Sequence, residues 1–150
     1  MAAVPQIYRS QEASRRIALI VASHARLTGR ELVADGPDPV AALWQAPLGV
    51  VAHGTEADPL FFFANHAALT AFRASLEQLV GMPSRLSAEE PLRGERQALL
   101  DRVTRHGFVD DYGGMRVALD GSRFLIRDAT VWNLIDEEGE RHGQAAAFAV

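Results

Sequence analysis

The 150 residues contain neither cysteine nor lysine. The first absence excludes disulfides, thiolate metal sites and a cysteine nucleophile. The second leaves arginine as every one of the 15 basic residues, against 19 acidic ones and a net charge of −4. These arginines are scattered rather than striped, so the footprint of a nucleic-acid binder is missing. Single arginines remain suited to a carboxylate or phosphate on a small anion. No apolar run approaches the ~20 residues of a membrane span. Arg15-Arg16 before Ile17-Ala18-Leu19-Ile20-Val21-Ala22 has a faint look of a signal sequence, but Ser23, His24 and Arg26 break that run. It reads as a helix of a cytoplasmic protein. What is present, 48% hydrophobic and 23% charged residues, fits one globular domain with a real core.

Along the chain, Ser10 can cap a helix whose apolar positions Ile17, Ile20, Val21 and Leu27 recur at helical spacing up to Gly29. Asp35-Gly36-Pro37-Asp38-Pro39 breaks the chain, and residues 40–44 add a helical turn. Residues 48–53 and 60–64 read as strands. Asn65 can cap a short helix carrying Ala68, Leu69 and Phe72, and Ser75-Leu76-Glu77-Gln78 has capping-box spacing. Pro91 suits the first turn of a longer helix with Leu92, Leu99, Leu100 and Val103 inward, ending at Gly107. Strands over 108–119, 124–135 and 143–150 follow, turned at Asp120-Gly121 and Glu138-Gly139. Strands gathered around a helical insert predict an antiparallel α+β domain. Strict alternation in the long strand puts Phe124, Ile126, Thr130, Trp132 and Leu134 on one face, with Leu125, Ala129, Val131 and Ile135 on the other. Both faces are then partly apolar and both need cover.

The block His53-Gly54-Thr55-Glu56-Ala57-Asp58-Pro59 is the densest in chemistry. His53, Glu56 and Asp58 can converge on a metal, or act as acid and base, if the turn folds back on itself. The simpler reading is a hairpin in which Gly54 permits the turn and Asp58 initiates it. The hairpin is favoured, since nothing places a fourth ligand although His66 and His106 are available. His53 keeps a separate interest because it ends a strand that can face a pocket. Arg85 can hold an anionic ligand or brace its loop against Glu89, Glu90 or Asp110, and bracing is favoured. Asp110 and Asp111 are adjacent on a strand and so point to opposite faces, which argues against a carboxylate dyad. Paired Gly113-Gly114 suggests a bulge or a close backbone approach. His66 reads as a solvent or capping residue, and His106 as a capping cation at a helix end.

Ala46-Pro47-Leu48-Gly49-Val50-Val51, Phe62-Phe63-Ala64-Asn65-His66-Ala67-Ala68-Leu69 and Leu76-Glu77-Gln78-Leu79-Val80-Gly81 resemble the first half of a PAS domain. In more detail the chain resembles the MEKHLA family of small PAS-like proteins. The residues carrying that likeness are the His53–Pro59 block, Met82-Pro83-Ser84-Arg85-Leu86, the stretch from Arg102 to Tyr112, Ala129-Thr130-Val131-Trp132-Asn133-Leu134, and Gly143-Gln144-Ala145-Ala146. They run from about Ala46 to the end and are specific as a set. The resemblance implies a five-stranded antiparallel sheet with short helices on one face, around a small-ligand pocket, with an extra N-terminal helix added here. Similar domains in plants follow a leucine-zipper homeodomain, neither part of which this chain contains; in bacteria they often stand alone. The family name carries a fold and not a reaction.

These readings divide the chain into an N-terminal helix and linker, 1–36, packing on or dimerising with a PAS-like core, 37–150. The expected function is a sensory or ligand-binding domain: cytoplasmic, bacterial, homodimeric, signalling through a separate output protein, with no nucleic-acid or membrane partner. Candidate ligand contacts are His53, Arg85, Trp132, Asn133 and Gln144. Trp132 reads as core before platform, while a Gln on the last strand is where flavin-binding PAS relatives touch their ring. The sequence requires no cofactor; flavin and haem have weak support, and the cysteine photoadduct of light-sensing relatives cannot form. The alternatives are a small metal- or acid/base-dependent enzyme using His53, Glu56 and Asp58, and an interaction module with a filled core.

Overall fold

A computed structural model describes residues 3–88 and 93–149. Five strands form one antiparallel sheet in the order β2-β1-β5-β4-β3, where β1 is Gly49–His53, β2 Phe61–Ala64, β3 Phe108–Val117, β4 Arg123–Ile135 and β5 Arg141–Phe148. The helices are α1 (Gln11–Thr28), α2 (Pro39–Gln45), α3 (His66–Phe72), α4 (Leu76–Leu79) and α5 (Arg93–His106). Local chemistry sets their ends. The Ser10 hydroxyl accepts from the Ala13 amide, Gly29 closes α1 at φ 72°, and Ser75 and Gln78 form a reciprocal capping box. The expected N-terminal turn of α5 at Pro91 and Leu92 lies outside the described residues.

Each face of the sheet has its own cover. Beneath α1 and α2, the residues Val50, Ala52, Phe63, Trp132, Leu134, Ala145 and Ala147 pack with Tyr8, Ile17, Ile20, Leu43 and Trp44. Polar bonds fix that layer. The Trp132 indole donates to the Ile20 carbonyl at 3.2 Å, and the Ser23 hydroxyl bonds both the carbonyl and the amide of Ile135. The buried Tyr8 hydroxyl, pushed up to about 12 by burial, bonds both backbone groups of Ala64 on the edge strand β2. On the opposite face, α3 and α4 cover Val51, Phe61, Ala64, Ile126, Ala129 and Phe148, and α5 covers Val131.

The long strand departs from strict alternation. Ala129 pairs with Tyr112 but Ile126 with Gly114, so β4 carries one extra residue, with Asp128 in the left-handed region at φ 50°. Phe124 and Ile126 therefore pack with Ala129 under α3, not with Trp132 and Leu134 as a plain period of two requires. β3 has a complementary extra residue between Val109 and Tyr112, ahead of its paired glycines. The paired glycines themselves stand opposite the β4 bulge, at the register shift between Tyr112 and Gly114, and a Cβ on Gly114 would stand 2.6 Å from the Tyr112 hydroxyl.

Asn65 joins the two layers. Its carbonyl oxygen accepts from Val50 and Ala68, and its amide donates to Leu43 and Leu48. The side chain read as a helix cap is thus also the knot between α2, β1 and α3.

Candidate functional site

Between the sheet and helices α3 and α5 lies a cavity of about 50 Å³. Val51, Phe61, Leu99, Ile126, Val131 and Phe148 supply apolar wall; His53, Arg96, Arg116, Tyr112, Ser87 and Gln144 bring the polar groups. His53 comes from the end of β1, opposite Gln144 on β5 and beside Phe61 on β2. Its position is fixed by a tight crossing: a Cβ on Gly143, at φ 144°, would sit 2.0 Å from the His53 carbonyl oxygen.

The His53 ring is 6% exposed, and its Nδ1 lies 3.1 Å from the Gly54 carbonyl oxygen. That contact needs a proton on Nδ1, which leaves Nε2 as a bare acceptor. Nε2 is buried and has no hydrogen-bond partner. Burial brings the imidazole down to about 4, with the Arg96 and Arg141 charges pushing the same way and the Gly54 bond opposing them. His53 is therefore neutral near pH 7. The other orphaned buried atom among the described residues, Nε1 of Trp44, belongs to the α1–α2 layer, where that indole meets the His66 ring edge-on at 5.7 Å.

Arg96 is 8% exposed and donates from Nη2 to the Ser84 hydroxyl at 2.9 Å. Among the described residues, no carboxylate lies within ion-pair distance of it. Burial, together with nearby Arg116, lowers it to about 10. Arg116 in turn donates to the Tyr112 hydroxyl at 2.8 Å and lies over that ring. Below them, the Gln144 amide donates to the Leu100 carbonyl, the Thr104 hydroxyl and the Asn133 carbonyl oxygen, while the Asn133 amide donates to Val103. This amide pair ties α5 to β4 and β5.

The predicted residues thus separate. His53 and Gln144 line the cavity, and Asn133 braces Gln144. Trp132 is fully buried on the other side of the sheet, edge-on to His24 at 4.8 Å, because alternation sends it toward α1. Arg85 is half-exposed and pairs at 3.2 Å with Asp58, which was not among its expected braces; Asp110 pairs with Arg30 instead, and Glu89 and Glu90 lie outside the described residues. Glu56 folds back over Gly54 to accept from the Leu60 amide, which holds its carboxyl below the usual range. His53, Glu56 and Asp58 do not converge: one faces the cavity and two serve the exposed turn. Among the described residues, Asp136, Glu140 and His142 form the one cluster with metal-ligand spacing, on the β4–β5 turn where Asp136 already caps two amides and pairs with His142. Sequence reasoning passed over Arg96, although its spacing of three, four and seven to Leu99, Leu100 and Val103 sets a charge on the apolar stripe of α5.

The MEKHLA domain family model matches residues 14–150, and the chain belongs to that family. Its fold is of the PAS type. A PAS domain from Colwellia psychrerythraea superposes with TM-score 0.63 at 15% identity, covering 72% of this chain and 89% of that one. A light-oxygen-voltage domain studied with a flavin analogue gives 0.59 at 19%, covering 73% and 82%. The PAS domain, in complex with ethanol, of a LuxR-family transcriptional regulator from Burkholderia thailandensis gives 0.56 at 18%, covering 71% and 92%. No curated protein sequence matches the chain. Among the described residues, no helix is long and apolar enough to cross a membrane.

A flavin does not fit the residues present. Sites for ligands of that class run to roughly 300–1,000 Å³, and here Arg96, Leu99 and Leu100 of α5 stand against about 50 Å³ of space. The same crowding turns away a haem.

Proposed function

We propose that this domain is a sensor of a small molecule, held between the sheet and α5. The observation that carries the reading is a cavity lined by both His53, whose buried Nε2 has no partner, and the buried Arg96. An orphaned acceptor in a folded interior costs about 1–3 kcal/mol, and a ligand that donates to it recovers that cost. The fold class supports the reading, as does a neighbour of the same fold that holds a solute as small as ethanol. Occupancy would act on α5, which the Asn133 and Gln144 amides couple to the sheet, and the change would pass to a separate partner protein. A homodimer through α1 has less support, because Ile17 and Ile20 are spent on the sheet within one chain. The enzyme reading is weaker too: among the described residues the cavity holds no activated nucleophile, and the two acids nearest His53 in sequence serve the exposed turn.

The test is an amide and imidazole NMR titration of the full chain with small-molecule fractions of a cell extract. Shifts should cluster at Val51, His53, Leu99 and Gln144 and vanish in Ala146→Leu, which fills the cavity. Fractions that leave all of those resonances unmoved would instead mark an interaction module with a sealed core.

A further inference from the structure

Resting on that reading, the size and polarity of the cavity narrow the class of ligand. Among the described residues the lining holds two arginines and no carboxylate, so it favours an anion. Among the described lining residues, the buried polar atom without a partner is an acceptor, Nε2 of His53, because its Nδ1–H is committed to Gly54. A bare carboxylate satisfies the arginine and leaves Nε2 orphaned; the ligand must also bring a proton of its own. The Gln144 amide cannot supply one, being engaged by three acceptors. About 50 Å³ is several times what one water needs and about a third of a cavity that takes benzene. Scaled from benzene and from water, that leaves room for about two to five heavy atoms. The apolar wall of Val51, Phe61, Ile126 and Val131 favours carbon on the remaining side and penalises an anion with four oxygens to satisfy.

We infer that the cavity takes a short 2-hydroxycarboxylate, of which glycolate is the smallest, with its carboxylate on Arg96 and its hydroxyl donated to Nε2 of His53.

Calorimetric titration of the full chain with glycolate, acetate, ethylene glycol and inorganic phosphate tests this. Glycolate should bind one to one, acetate at least about tenfold more weakly because Nε2 stays unpaired, and ethylene glycol not measurably. His53→Leu should bring the glycolate-to-acetate ratio close to one. Arg96→Gln should lose both acids and Arg96→Lys should restore part of the binding, with thermal unfolding confirming that each variant is folded. The His53 Nε2 nitrogen resonance should move with glycolate and stay put with acetate. Equal binding of acetate and glycolate, a ratio unchanged by His53→Leu, or tighter binding of phosphate would overturn the inference. If no acid binds while a neutral solute shifts the cavity resonances, this inference falls and the sensor reading stands; if nothing shifts them, both fall.

Discussion

The two faces of the sheet are built on opposite principles. Under α1 and α2, aromatic rings and aliphatic chains interdigitate, and apart from the Trp44 indole nitrogen the polar atoms of Tyr8, Trp132 and Ser23 find partners. Under α3 and α5, a cavity is left, and beside it are buried a neutral histidine with an unpartnered Nε2 and a cation bonded to the Ser84 hydroxyl. The first arrangement maximises dispersion and burial. The second gives up stability at one point, which folded proteins sustain where binding recovers it. Both faces share β4 and β5, so the difference comes from which side of a strand each residue takes.

The largest break in this contrast is expected on the filled face. Trp132→Ala removes a fully buried indole and its bond to Ile20, and should cost about 3–5 kcal/mol in urea unfolding. An unfolding free energy within about 1 kcal/mol of wild type would mean that this layer is loosely packed after all.

Acid should act on the other face. The His53 pKa is lowered from 6.5 to about 4 on folding, so between those values the unfolded chain binds the extra proton. Stability is then full above about pH 6.5 and falls toward pH 4, by about 3 kcal/mol in all from this group. His24, lowered mainly by burial, adds in the same direction. Urea midpoints measured from pH 7 to 4 should therefore drop less steeply in His53→Leu than in wild type. Identical slopes would place the imidazole in contact with solvent.

Asn65 tests the seam between the faces. Asn65→Ala strips the Val50 and Ala68 amides of their acceptor and should cost about 2–3 kcal/mol. A loss of a few tenths would show that water replaces the side chain. The smallest effect belongs to the surface: Arg85→Ala breaks a half-exposed pair with Asp58 and should cost under about 1 kcal/mol, with no change in small-molecule binding. A loss of binding in that variant would move the ligand toward the His53–Pro59 turn.

Local chemistry was the legible part of the sequence. The caps at Ser10, Asn65 and Ser75 and the turn at Asp120-Gly121 follow from side-chain geometry within a few residues, and the structure has them where the pattern put them. The five-stranded PAS-like sheet followed from the family resemblance, and the topology bears it out. The bulge at Asp128 was not legible, because one left-handed residue leaves composition unchanged while inverting the facing of everything before it. Arg96 was hidden for a related reason: α5 carries so many charges that its apolar stripe is faint, and only the tertiary packing shows which charge went inward. Of the candidate ligand contacts, His53 and Gln144 meet at the cavity because β1 and β5 pair in that register, a long-range fact no window of sequence contains.

The tight crossing at Gly143 bears on how variation in this protein would be interpreted. Any side chain there drives into the backbone of His53. In a saturation scan scored by ligand response, position 143 would therefore look as indispensable as a binding residue, though it has no atom to offer a ligand. Scoring the same library for abundance would expose the difference. His53 variants should stay abundant and fall silent, whereas Gly143 variants should disappear from both readouts.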